Sequence, residues 1–152
     1  MSETLRRILL ADDSVNDVEL TLEALAEHRL ANAVDVVRDG AEAWDFLTRQ
    51  GQYASRNPGN PAVVLLDIKM PKMDGLEVLR RMRADATLHT IPAVILTSSR
   101  EERDLAKGYE LGVNAYVVKP VDFKDFIEAI RSLGLFWAVI NEPPPAAARR
   151  AA

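Results

Sequence analysis

The sequence predicts an α/β fold, a doubly wound five-stranded parallel sheet flanked by five helices. Short apolar, β-branched runs alternate five times with longer stretches of helical period, the pattern of a parallel sheet covered on both faces. Three of those runs are almost continuously hydrophobic, as strands buried on both sides must be. Polar residues gather just after the runs, where an open α/β sheet binds its ligands.

Strands are expected at Ile8 to Ala11, Val34 to Arg38, Ala62 to Asp67, Ala93 to Thr97 and Ala115 to Val118. Asp35 interrupts the second, which places it toward an edge. The first helix should begin at Ser14, a hydroxyl able to cap the first turn, with Asp17 three residues on. Val15, Val18, Leu22 and Leu25 then form one stripe. The second helix spans about Ala41 to Arg49, and the third follows the Asp74-Gly75 turn with Val78, Leu79 and Met82 inward. A fourth runs from about Glu101 to Leu111 and ends near Gly112; a fifth starts around Asp122 and carries Phe123, Phe126, Ile127, Ile130 and Trp137 along one side.

Two segments exceed this five-fold unit. Gln50 to Pro61, rich in Gly, Asn, Pro and Ser, reads as a long surface loop. After Gly134 the run Leu135 to Ile140 is apolar all round, so a helix there needs a partner surface; Phe136, Trp137 and Ile140 become candidates for a homodimer interface. Domain boundaries follow: one domain over residues 1–141, then a tail over 142–152, broken by Pro143, Pro144 and Pro145 and expected to be disordered.

Composition narrows the chemistry. The length of 152 residues suits one domain with its own core. No cysteine is present and the two histidines are isolated, which excludes disulfides, thiol catalysis and thiolate metal sites, so any metal must be held by oxygen. A net charge of −4 argues against nucleic acid, and Arg80, Arg81 and Arg83 read as one solvated helix face. No apolar stretch is long enough for a membrane span, and Met1 to Arg7 lacks the apolar core of a secretory signal, so a cytoplasmic location is expected.

The strand ends supply Asp12 and Asp13 after the first, Asp67 closing the third, Thr97 closing the fourth and Lys119 after the fifth. Each alone has an ordinary explanation: an acidic helix start, a strand former, an exposed lysine. Together they are hard to assign to chance, and three converging carboxylates repel one another unless a cation joins them. Magnesium suits such a site, because it takes oxygen ligands, keeps waters and binds phosphate beside carboxylates.

The blocks I-L-L-A-D-D, V-V-L-L-D-I-K-M-P-K-M-D-G, V-I-L-T-S-S and A-Y-V-V-K-P resemble the response-regulator receiver family of bacterial two-component systems. They stretch from Ile8 to Pro120. The resemblance implies a flavodoxin-like receiver fold with strand order 2-1-3-4-5 and phosphorylation of Asp67. It further implies Mg²⁺ held by Asp12, Asp13, Asp67 and the backbone carbonyl of Lys69. Thr97 and Lys119 would sense the phosphoryl group, Tyr116 would be the switch aromatic, and the bond before Pro120 would be cis. Tyr116 also has a plainer reading, as an aromatic packing the sheet edge.

The chain then looks like a stand-alone phosphoacceptor switch served by a sensor histidine kinase, with at most self-phosphorylation and slow autophosphatase chemistry. The long loop and the Phe136-Trp137 ending are similar to single-domain receivers paired with bacterial phytochromes; a chemotaxis-type or phosphorelay receiver is the alternative. Haloacid dehalogenase-like phosphatases also place an aspartate at a strand end, but they need an acid two residues later, where this chain has Lys69. A flavin module needs a Ser/Thr/Gly-rich loop after the first strand, and Asp12-Asp13 would repel its phosphate.

Overall fold

The structure, a computed structural model, describes residues 7–27, 33–97 and 111–134. The strands β1 (Ile8–Ala11), β2 (Val34–Val37), β3 (Val63–Asp67), β4 (Ala93–Thr97) and β5 (Ala115–Val118) form one parallel sheet in the order β2-β1-β3-β4-β5. Four helices are described: α1 (Val15–Ala26), α2 (Gly40–Thr48), α3 (Gly75–Ala84) and α4 (Phe123–Ser132). The helix expected from Glu101 falls almost wholly outside the described residues, as do the interface candidates Phe136, Trp137 and Ile140 and the 142–152 tail. Among the described residues, no helix is long and apolar enough to cross a membrane.

Strand alternation sorts the core into two layers. Ile8, Leu10, Val63, Leu65, Val94, Leu96 and Val117 face Val18 and Leu25 of α1 and Phe126, Ile127 and Ile130 of α4. Leu9, Ala11, Val64, Leu66, Ala93 and Ile95 face Phe46 and Leu47 of α2 and Val78, Leu79 and Met82 of α3. β1, β3 and β4 are buried along their whole length, because both faces are covered. β2, with Asp35, lies at one edge, as its interruption predicts.

Each of the four described α-helices starts at a side-chain cap. Ser14, Asp39, Asp74 and Asp122 accept hydrogen bonds from the backbone N–H of Asp17, Glu42, Glu77 and Asp125, respectively. Asp17 does not return a bond to its cap; its carboxylate turns toward the sheet edge.

The 50–61 loop is more ordered than its composition suggests. A 3-10 turn at Gly51–Tyr53 sets the Tyr53 ring edge-on to Phe46, and Tyr53 donates its hydroxyl to Glu42. The Arg56 guanidinium lies 4.3 Å from the Phe46 ring centroid and donates to the Phe46 carbonyl at 2.7 Å. These contacts tie the loop to α2, a long-range pairing that local composition does not encode.

Candidate functional site

β1 and β3 are neighbours although β2 follows β1 in the chain, so the connections from their C-terminal ends diverge and open a crevice between them. Ala11 is in register with Leu66, so one further step of the ladder sets Asp12 beside Asp67. Asp67 has the same parity as Val63 and Leu65, which directs it toward the α1 side of the sheet, and Lys119 follows Ala115 and Val117 in the same way. The Lys119 N–H donates to the Thr97 carbonyl at 2.8 Å, which ties β4 and β5 together just before the lysine side chain enters the site.

Asp12, Asp13 and Asp67 each offer an oxygen within 4.8 Å of the others. Asp12 is fully buried, Asp67 is 8% exposed, and Asp13 opens to solvent. Lys119 Nζ lies 3.1 Å from Asp12 Oδ2, 3.2 Å from Asp67 Oδ1 and 2.8 Å from Asp17 Oδ2. A lysine before proline is ordinarily exposed; here the ammonium is drawn in, and the peptide bond to Pro120 is cis. Thr97 is buried at the end of β4. Tyr116 is half-buried against the α2–α3 layer, and the Lys69 side chain is exposed.

Two residues outside the expected set help to build the site. Asp17 holds Lys119; its position four residues after Asp13 on a helix leaving the same strand end was the available signal. Gly75 allows α3 to approach β3: a Cβ there would lie 2.2 Å from the Asp67 carbonyl oxygen, and the Gly75 N–H donates to the Ile68 carbonyl at 2.8 Å. Its place in an Asp-Gly turn marked the turn but not this contact.

The electrostatics favour a cation. Burial, then the neighbouring charge of Asp12, push the Asp67 carboxyl up to about 7, against the opposing pull of Lys119. Burial alone would lower the Lys119 ammonium's pKa, but the hydrogen bond to Asp17 and the charges of Asp67 and Asp12 raise it above its ordinary value. Asp12 Oδ1 accepts the Ser14 N–H at 3.0 Å, whereas buried Oδ2 has no hydrogen-bond partner among the described residues; Lys119 Nζ at 3.1 Å is close enough for ion pairing but is not aligned to donate. An orphaned carboxylate oxygen beside two further carboxylates fits an oxygen-liganded divalent ion.

The comparisons with known proteins agree with this geometry. A sequence model of the response regulator receiver domain matches residues 8–131. The chain belongs to the response regulator receiver family. Response regulator Rcp1 of Synechocystis is 38% identical over 130 residues, covering 86% of this receiver and 87% of Rcp1. The solved structure of the bacteriophytochrome response regulator RtBRR is 58% identical, with a TM-score of 0.82 over 96% of this receiver and 88% of that chain. The Mn(2+)-bound form of Rcp1 superimposes with a TM-score of 0.70 at 38% identity, covering 88% and 94% of the two chains.

Receiver domains bind a divalent metal at this acidic pocket and take phosphoryl groups from sensor histidine kinases. Because the metal needs ionised carboxylates and Asp67 holds its proton up to about pH 7, divalent-ion affinity should rise between pH 6 and pH 8. Calorimetric titration with MgCl₂ at both values checks this; equal affinity would show that Asp67 does not exchange a proton for the ion.

Proposed function

We propose that Asp67 accepts a phosphoryl group from the phosphohistidine of a sensor histidine kinase in a Mg²⁺-dependent reaction. The observation that carries this reading is the Asp67 carboxylate at the C-terminal end of a central strand, clustered with the orphaned oxygen of Asp12 and the ammonium of Lys119. A carboxylate is a weak nucleophile, but phosphoryl transfer depends mainly on alignment and charge neutralisation.

Asp12, Asp13, Asp67 and the Lys69 carbonyl are the proposed Mg²⁺ ligands. Bound there, the ion would neutralise charge on the incoming phosphoryl oxygens. As an Asp67 oxygen bonds to phosphorus, the bond to the donor nitrogen breaks and its electron pair stays on the histidine. Ionised Asp67 has no proton to lose, so no general base is needed. Lys119 and Thr97 then bind phosphoryl oxygens, and Tyr116 turns inward as Thr97 shifts, changing the surface around β5 and α4. Slow hydrolysis of the acyl phosphate resets the switch.

The resemblance to RtBRR supports a bacterial phytochrome as the kinase, with the encounter in the cytoplasm. The apolar run from Leu135 to Ile140 supports a homodimer. Incubation of the protein with acetyl phosphate and Mg²⁺ should add about 80 Da, the mass of HPO₃, with the label on the peptide carrying Asp67 and lost when EDTA replaces Mg²⁺. An unchanged mass, or a label elsewhere, overturns the assignment. Light scattering on the same samples should give twice the chain mass; a monomer at micromolar concentration before and after phosphorylation removes the dimer.

A further inference from the structure

Lys119 has one carboxylate partner that lies outside the candidate cation site. An ammonium carries three N–H donors, and three carboxylates surround this one, with Asp17 Oδ2 at 2.8 Å, Asp12 Oδ2 at 3.1 Å and Asp67 Oδ1 at 3.2 Å. Asp12 and Asp67 belong to the trio that converges as a cation site; Asp17 does not. A divalent ion that engages that trio therefore competes with Lys119 for two partners and leaves the third untouched.

We propose that Asp17 is a positioning residue for phosphoryl transfer. It would anchor the Lys119 ammonium beside Asp67 when Asp12 and Asp67 hold a cation, so that the N–H donors not taken by Asp17 face the phosphoryl oxygens. This rests on the reading of Asp67 as the acceptor.

The local structure fits an anchor. Ser14 Oγ accepts the Asp17 N–H at 3.1 Å, which fixes the backbone under the carboxylate whatever its side chain does. Asp17 lies in the first turn of α1, and its side chain is 30% exposed against 16% for Lys119, so the anchor is more open to solvent than the ammonium that it holds. Lysine has a flexible four-carbon stem, and β5 is an edge strand, so an unanchored Lys119 has open solvent to sample. Holding it in place removes that search from the barrier. The ammonium stays protonated throughout; it donates hydrogen bonds and transfers no proton.

The test compares the wild-type protein with Asp17→Ala, Asp17→Asn and Glu23→Gln. Glu23 is exposed on the same helix, so its variant removes a similar charge without touching Lys119. Three readouts are needed: Mg²⁺ affinity without a phosphodonor, the acetyl phosphate reaction rate at saturating Mg²⁺, and the ¹H–¹⁵N NMR signal of the Lys119 ammonium. Asp17→Ala should leave Mg²⁺ affinity within about threefold, slow phosphorylation about tenfold and broaden the ammonium signal. Asp17→Asn, which keeps an acceptor oxygen, should recover most of the rate, and Glu23→Gln should match wild type.

Wild-type rates in Asp17→Ala overturn the proposal and leave Asp67 as acceptor intact. Parallel loss of Mg²⁺ affinity and rate overturns it in favour of a general disturbance of the site. No uptake by the wild-type protein overturns the Asp67 reading and this one with it.

Discussion

Asp67→Asn is expected to abolish phosphoryl uptake and, in metal-free protein at pH 8, to raise stability by roughly 2 kcal/mol. The first effect follows from the amide, which lacks the nucleophilic charge. The second follows from the position of the carboxyl, whose folded-state pKa burial and the charge of Asp12 raise to about 7. Such a group favours folding fully below its unfolded pKa, near 4, where it is protonated in both states. That contribution is withdrawn as pH climbs toward 7 and stays lost above it, where the folded protein must hold the charge. The advantage of the amide should therefore be near zero at pH 4, grow to pH 7 and level off. Urea unfolding in EDTA at pH 4, 6 and 8 reads the trend, and excess Mg²⁺ should erase it by neutralising the wild-type carboxylates. Equal stability of the two proteins at pH 8 would mean that the acidic cluster carries no strain.

Gly40→Ala should cost about 3 kcal/mol, although helix propensity alone predicts a gain of about 1 kcal/mol for alanine at a helical position. Gly40 opens α2, and a Cβ there would sit 1.6 Å from the Met73 carbonyl oxygen, in the turn before α3. The obstacle is backbone, so no rotamer change relieves it. Gly75→Ala meets the Asp67 carbonyl at 2.2 Å in the same way, and its predicted cost is about 2 kcal/mol. The two variants should differ in function. Gly75→Ala pushes on the residue proposed to take the phosphoryl group, so acetyl phosphate labelling should slow further than the stability loss explains; Gly40→Ala should label at the wild-type rate while folded. A stabilised Gly40→Ala protein in urea titrations would show that α2 and the Met73 turn move apart freely.

Much of the site was legible because strands end where their hydrophobic runs end. Asp12, Asp67, Thr97 and Lys119 stand at those ends, and a parallel sheet in register brings such ends to one edge whatever the helices do. The caps were equally local, since Ser14, Asp74 and Asp122 satisfy backbone donors only a few residues away. Asp17 shows where this kind of reading stops. Its spacing from Ser14 suggests a reciprocal cap, but a carboxylate takes the stronger partner, and the Lys119 ammonium arrives from a residue distant in the chain. The 50–61 loop has the same lesson, because its composition announces a loop while Arg56 and Tyr53 find Phe46 and Glu42 on α2.

By itself, then, the sequence determined the layered α/β architecture, the strand ends that carry chemistry and the oxygen-only character of any metal site, since hydrophobic period and residue type are properties of short windows. Tertiary structure alone decided that Asp12 Oδ2 is left without a hydrogen-bond donor, that Asp17 is the third carboxylate on Lys119, and that Gly40 and Gly75 tolerate no Cβ. Each of these depends on atoms from separate segments meeting within a few ångströms, and such distances are fixed only when all the layers have packed.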